Sequence, residues 1–142
     1  RDFSITLRAT NPRVLGSLEK LTTITPANGA TQATGTVINL GGEAAQARIR
    51  LTGPTTDDPI IENLTTGETE YLDGLWAGGQ YREMNTANRK IYDHNGDLKR
   101  SSWKPASKWI TLAPDENEIQ LTLSGGAVAG IKLDVWHRDT WV

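Results

Sequence analysis

The stretch from Gly53 to Glu68, Gly-Pro-Thr-Thr-Asp-Asp-Pro-Ile-Ile-Glu-Asn-Leu-Thr-Thr-Gly-Glu, does most to constrain how this chain folds. Gly53-Pro54 and Asp57-Asp58-Pro59 are breakers, because proline fixes φ and biases the residue before it toward extended backbone. Ile60 to Leu64 reads as a short β-branched strand. Thr65-Thr66-Gly67-Glu68 closes it, with Gly67 free to take the positive φ of a tight reversal. One alternating strand, Ala47 to Leu51, precedes the stretch and another, Glu68 to Leu72, follows it. A succession of strand, corner, strand, turn and strand builds antiparallel sandwiches. No catalytic motif lies within it, so an architectural or binding role is expected.

A chain of 142 residues suits one domain, which buries roughly 68% of its unfolded surface without staples. Cysteine is absent, which excludes disulfides, zinc-thiolate sites and thiol nucleophiles. Two histidines are too few for a histidine-rich metal site, and a formal charge of −2 with interspersed signs argues against a nucleic-acid surface or a polybasic membrane contact. No apolar run approaches the roughly 20 residues that a membrane helix needs, and no cofactor motif is present. The sequence has no initiating methionine and enters an alternating pattern at Phe3. We therefore expect a piece of a longer polypeptide, residues 1–142 forming a single sandwich domain and residues 1–13 a lead-in strand.

Phe3, Ile5 and Leu7 alternate with polar residues as a half-buried strand does, and Asn11-Pro12 stops the pattern. Val14 to Ile24 fits either a helical face or a strand, and we expect strand in its second half, Leu21 to Thr25. Asn28-Gly29 is a hairpin signal, and Thr36 to Leu40 follows as a strand. In Ala47 to Leu51, Arg48 and Arg50 face solvent. One or two strands lie between Tyr81 and Tyr92, and Trp109 to Leu112 reads as another, stopped at Pro114. A final hairpin pairs Ile119, Leu121 and Leu123 with Ile131, Leu133 and Val135 across a Gly125-Gly126 turn. Turn signals every 8 to 12 residues or so, with no long helix, predict an all-β antiparallel sandwich or jelly roll.

Five tryptophans raise the question of glycan binding, because indole faces stack on sugar rings. Trp109, Trp136 and Trp141 lie in or beside alternating strands and are assigned to the core. Trp76 and Trp103 adjoin loop signals, so they are the candidates for exposure and for carbohydrate contact. Asp93-His94-Asn95-Gly96-Asp97 offers alternating oxygen donors, but its glycine is fourth and the twelfth residue is Lys104, so it is a turn rather than a calcium loop. Asp115, Glu116 and Glu118 read as a solvated loop, not as a glycosidase acid pair. No nucleophile elbow or triad is present, and catalysis is not expected.

The segments Gly35 to Gly42, Ala47 to Pro54, Pro59 to Asn63 and Thr65 to Glu68 resemble the C-terminal domain of the distal tail proteins of long, non-contractile-tailed bacteriophages. The likeness runs on through Arg89-Lys90-Ile91-Tyr92, Ser107-Lys108-Trp109, Leu112-Ala113-Pro114 with Asn117 and Ile119, and a late tryptophan, Trp136 or Trp141. Phe3 to Arg13 is similar to the segment leading into that domain. The resemblance implies a galectin-like β-sandwich on the outside of a ring that joins the tail tube to the host-facing tip. It further implies an N-terminal belt domain forming a homo-hexameric ring, other tail-tip proteins as partners, and residence in the virion after assembly in the host cytoplasm. Binding of a host cell-wall polysaccharide is the alternative role, to which the short loops lend little. The family has Pro-Gly where this chain has Pro114-Asp115, which bears on the local turn.

Overall fold

A computed structural model describes residues 13–142; the expected lead-in strand at Phe3 to Leu7 lies outside the described residues. Twelve strands follow in order: β1 (Val14–Leu15), β2 (Lys20–Ile24), β3 (Gln32–Asn39), β4 (Ala45–Thr52), β5 (Ile60–Asn63), β6 (Glu68–Tyr71), β7 (Tyr81–Asn85), β8 (Lys90–Asp93), β9 (Thr111–Leu112), β10 (Asp115–Thr122), β11 (Lys132–His137) and β12 (Thr140–Trp141). Every pairing is antiparallel. One sheet runs β3-β10-β5-β6 and the other β2-β11-β4-β7-β8, with β9 appended to β4 and a small β1-β12 ribbon at one end. The expected antiparallel sandwich is the observed architecture.

Alternation decides which side chains meet between the sheets. Val37, Ile61, Ile119 and Leu121 from the first sheet face Ile49, Leu51, Met84, Leu133 and Val135 from the second, all of them buried. The Gly53 to Glu68 stretch does what its residues dictate. Gly53-Pro54, joined by a cis peptide, carries the chain from one sheet to the other, and Gly67 turns β5 back into β6 at a φ of 74°. Gly53 is required by a close approach, since a Cβ there would sit 2.7 Å from Cδ1 of Trp76 and 2.7 Å from the Ala77 carbonyl.

Two expected hairpins are not hairpins. Asn28-Gly29 joins β2 to β3, and Gly125-Gly126 joins β10 to β11, but in each case the flanking strands belong to opposite sheets. The reason lies in how the two loops pair with each other at one end of the sandwich. Gly29 N–H donates to the Ala127 carbonyl at 2.7 Å, Ala127 N–H to Ala30 at 2.8 Å, and Leu123 N–H to Thr31 at 2.8 Å. Hydrogen bonding that a hairpin would satisfy within one sheet is satisfied here between neighbouring reversals.

Trp109 to Leu112 also departs from expectation, as only Thr111–Leu112 pairs as strand. Its backbone is held by side chains of the inner sheet face. Asn63 Nδ2 donates to Thr111 O at 2.8 Å, Asn39 Nδ2 to Leu112 O at 3.2 Å, and Asn117 Oδ1 accepts from Ala113 N at 2.8 Å. These three asparagines are fully buried and bonded, the condition under which a polar group is tolerated in a core. Asp115, Glu116 and Glu118 begin strand β10 with their side chains exposed, so they are not loop residues.

The Pro114-Asp115 departure has a structural consequence. Asp115 adopts a φ of 70°, a left-handed conformation that costs an ordinary L-residue roughly 1–2 kcal/mol and glycine nothing. Asp115 therefore holds a turn conformation that glycine takes without strain. Asp115→Gly is expected to stabilise the fold by about 0.5–1 kcal/mol, since glycine's own unfolded-state entropy offsets part of the relief. Thermal unfolding of the variant checks this, and a lowered midpoint would show that the strain is not there.

Candidate functional site

The tryptophans fall differently from their sequence settings. Trp76, expected to be exposed, is 4% exposed. The loop carrying it folds back over the sandwich end and is bonded to the corner: Trp76 N donates to Thr55 Oγ1 at 3.1 Å, Thr55 N to Trp76 O at 3.0 Å, and Gly53 N to Gln80 O at 2.8 Å. Leu75, one residue earlier, takes the solvent side at 64%. Trp103 is half-buried and stacks on Trp109 with ring centroids 4.0 Å apart and planes 18° from parallel. Both rings pack partly against the core. Trp103 thus stays partly exposed whereas Trp76 is enclosed.

Trp136 and Trp141 correct the core assignment. Trp141 is 39% exposed, and Trp136 points away from the core because Leu133, Val135 and His137 occupy the inward phase of β11. On this outer sheet face Arg48 Cζ lies 4.2 Å from the Trp136 ring, and Arg50 Cζ lies 4.0 Å from Tyr81 and 5.1 Å from Trp136. Glu83 Oε2 accepts from Arg50 Nη2 at 2.7 Å and from Arg48 Nη1 at 3.4 Å, while Glu19 takes Arg48 Nη2 at 3.0 Å. Guanidinium planes stacked on aromatic rings and forked onto carboxylates hold such a face in one arrangement. At its end, beside the β1-β12 ribbon, a cavity of about 320 Å³ opens between Trp136, Arg48, Asn85, Glu19 and Arg138.

The Asp93 to Asp97 segment is a turn, as expected. Asp93 Oδ1 accepts from Asn95 N at 2.9 Å and Asp97 N at 3.0 Å, its other oxygen meets Lys99 at 3.2 Å, and Gly96 takes a φ of 83°. Burial alone would raise the Asp93 carboxyl, but those backbone and lysine bonds outweigh it and hold the group below its ordinary value. Among the described residues no cluster of histidine and acidic side chains is grouped to hold a metal ion.

One buried group escaped the sequence reading. Glu70, on β6, is fully enclosed; Oε1 accepts from Ile110 N at 3.2 Å and Oε2 has no partner. Burial pushes its carboxyl up to about 8, with the Ile110 bond opposing and the charge of nearby Glu68 adding. Its position is legible in retrospect: Glu70 stands opposite Ile61, in phase with the core.

No protein-family model and no curated protein matches the chain. A solved structure does: the SPP1 Dit protein, described as a paradigm of the hub adsorption apparatus in phages that infect Gram-positive bacteria, superposes with a TM-score of 0.71 at 16% identity. The match covers 94% of this chain and 50% of that one, so the chain spans about half the length of the structure it matches. What the two share at that identity is the fold: this chain is a β-sandwich of the kind that makes up half of the SPP1 Dit protein.

Proposed function

We propose that this chain is a structural domain of a bacteriophage tail tip, a peripheral sandwich of a distal tail protein that joins the tail tube to the host-recognition apparatus. The observation that carries the reading is the superposition on SPP1 Dit over 94% of the chain. It coincides with the family that the Gly35 to Glu68 and Arg89 to Ile119 segments resemble. The chemistry is in keeping with it: the described surface offers packing and charged cross-strand contacts in place of reacting groups, and the role is not enzymatic. Its partners in this reading are other tail-tip proteins, with the whole protein in a hexameric ring on the virion, assembled in the host cytoplasm.

Host-glycan contact at Trp103 stands second, because one face of that ring is stacked on Trp109, and Trp76 is buried. Immunogold labelling of purified particles with an antibody against this domain tests the tail-tip role. Label at the end of the tail farthest from the head is expected. Label on the capsid, or particles that lack the protein, would overturn it.

A further inference from the structure

The open edges of the two sheets are not treated alike. A strand edge presents N–H and C=O groups that a second chain can take up, and folds usually cover or blunt it. The β6 edge is covered by its own chain: Thr69 O accepts from Lys108 N at 2.8 Å, Tyr71 O from Lys104 N at 3.1 Å, and Tyr71 N donates to Ser107 Oγ at 2.9 Å. The β8 edge is closed by the turn after it, where Ile91 O accepts from Lys99 N and Asp93 N donates to Asp97 O, both at 2.9 Å. β2 is five residues long and starts on Lys20. β3 has none of these devices. We propose that β3 is a self-association edge, through which two copies of this chain pair antiparallel about Gly35 and join their β3-β10-β5-β6 sheets into one. This goes beyond the tail-tip role and does not rest on it.

Successive residues of an antiparallel strand aim their backbone groups at opposite neighbours. On β3 the odd-numbered residues face β10, because Leu123 N donates to Thr31 O at 2.8 Å and so extends that ladder by one step. The even-numbered residues face away from it. Ile38 O meets His137 Nε2 at 3.0 Å, and Leu40 N donates to Asp139 Oδ1 at 3.0 Å. Thr34 and Thr36 share that phase, and among the described residues their N–H and C=O groups have no partner. The fold thus caps one end of the edge and leaves its middle open. β3 runs eight residues in unbroken register with β10, with no charge and no proline in it. Beside it a groove of about 510 Å³ is lined by Thr36, Ile38, Leu40 and Leu21, and the three aliphatic side chains are exposed.

A second copy is the occupant because the edge is complementary to itself. With Gly35 opposite Gly35, Thr34 faces Thr36 of the second copy and Thr36 faces Thr34, so each open N–H meets an open C=O. The central pair then falls in the narrow phase of the ladder, with Cα atoms roughly 4.5 Å apart, where glycine brings no side chain. That position is also held small from within, since a Cβ on Gly35 would lie 2.5 Å from Ile24 Cγ1. Across the outer face the row reads Glu118 and Thr36, then Thr34 and Gln120 of the second copy. Threonine stands against threonine, a favourable cross-strand pair, and no like charges meet. Pairing of this isologous kind closes on itself, so two copies use up the edge.

The interface is small, one strand from each copy, so a dimer Kd on the order of 100 µM is expected. Sedimentation velocity from about 10 µM to about 1 mM, a range that brackets this value, measures it. Amide hydrogen exchange locates it: the Thr34 and Thr36 amides should slow as protein concentration rises, while exposed amides elsewhere do not. Thr36→Pro removes an N–H that β10 does not use, so it should weaken dimerisation at least tenfold with little change in thermal midpoint. The double variant Thr34→Lys with Thr36→Lys keeps the backbone intact and sets lysine against lysine across the pair; it should stay monomeric throughout. A parent chain that is monomeric at about 1 mM, a dimer whose Thr34 and Thr36 amides exchange as freely as in the monomer, or a double variant that dimerises like the parent would each overturn the proposal.

Discussion

Trp76→Ala is expected to lower stability by about 3–5 kcal/mol, the loss seen when a large aromatic is deleted from a core that cannot collapse around it. For a domain of this size that lowers the thermal midpoint by roughly 10–15 °C. The ring is 4% exposed, Gly53 is packed against its edge and Arg82 Cζ lies 5.0 Å over its face. Its removal would empty the space beneath the corner that carries β4 into β5, and the corner is bonded to the Trp76 backbone, so little is free to move in. Trp109→Ala should cost less, because that ring is only half-buried and rests on Trp103. Chemical denaturation of both variants decides the matter. A loss below about 1 kcal/mol for Trp76→Ala, in the range of surface changes, would place the ring outside the core.

The second large effect is one of pH. The Glu70 carboxyl titrates near 8 in the fold, raised by burial, against an ordinary value of 4.5 in the unfolded chain. Between those values the folded state binds the extra proton, so the stability tied to the neutral acid is complete below 4.5 and is lost as pH rises toward 8. Each unit of separation is worth about 1.4 kcal/mol, which gives a fall of about 3 kcal/mol from pH 5 to pH 8. Asp93 and Asp139 act in the opposite sense. Burial would raise both, but their hydrogen bonds and the lysines beside them hold both below 3.8, so what they contribute is lost only as pH falls through the acid range beneath that value. Stability should therefore peak near pH 4 to 5. Glu70→Gln keeps an acceptor for the Ile110 N–H and cannot ionise, so its thermal midpoint should stay nearly level from pH 5 to pH 8 while that of the parent chain declines. A parent chain as level as the variant would mean that Glu70 is charged and solvated throughout.

Period-2 alternation and turn residues made most of the strands legible. Lys20–Ile24, Ala45–Thr52, Ile60–Asn63 and Glu68–Tyr71 begin and end within two residues of where the pattern places them. Which strands pair was less visible. Asn28-Gly29 and Gly125-Gly126 both reverse the chain, yet each reversal hands it to the other sheet, because a dipeptide records a change of direction and not the partner that follows. That choice is made by contacts distant in sequence, such as the pairing of Ala127 with Gly29 and Ala30.

Side-chain placement failed where neighbourhood was weighed above phase. Trp136, assigned to the core, stands at odd spacing from Leu133 and Val135, so its phase on β11 turns it outward. Trp76 failed for a different reason: a loop composition indicates irregular backbone, not exposure, and here the loop closes the end of the sandwich. Asn39, Asn63, Asn117 and Glu70 are in phase with buried aliphatics, and polarity alone hid them. The Pro114-Asp115 substitution was the one departure that led straight to a structural feature, the φ of 70° at Asp115.

The tail-tip assignment is tested most directly by cryo-electron microscopy of the intact particle at the distal end of its tail. Six copies of this sandwich are expected on the outside of a ring beneath the tube, with the β3-β10-β5-β6 and β2-β11-β4-β7-β8 sheets recognisable in the density. A tail end whose density has no place for the sandwich, or the same fold found elsewhere in the particle, would contradict it.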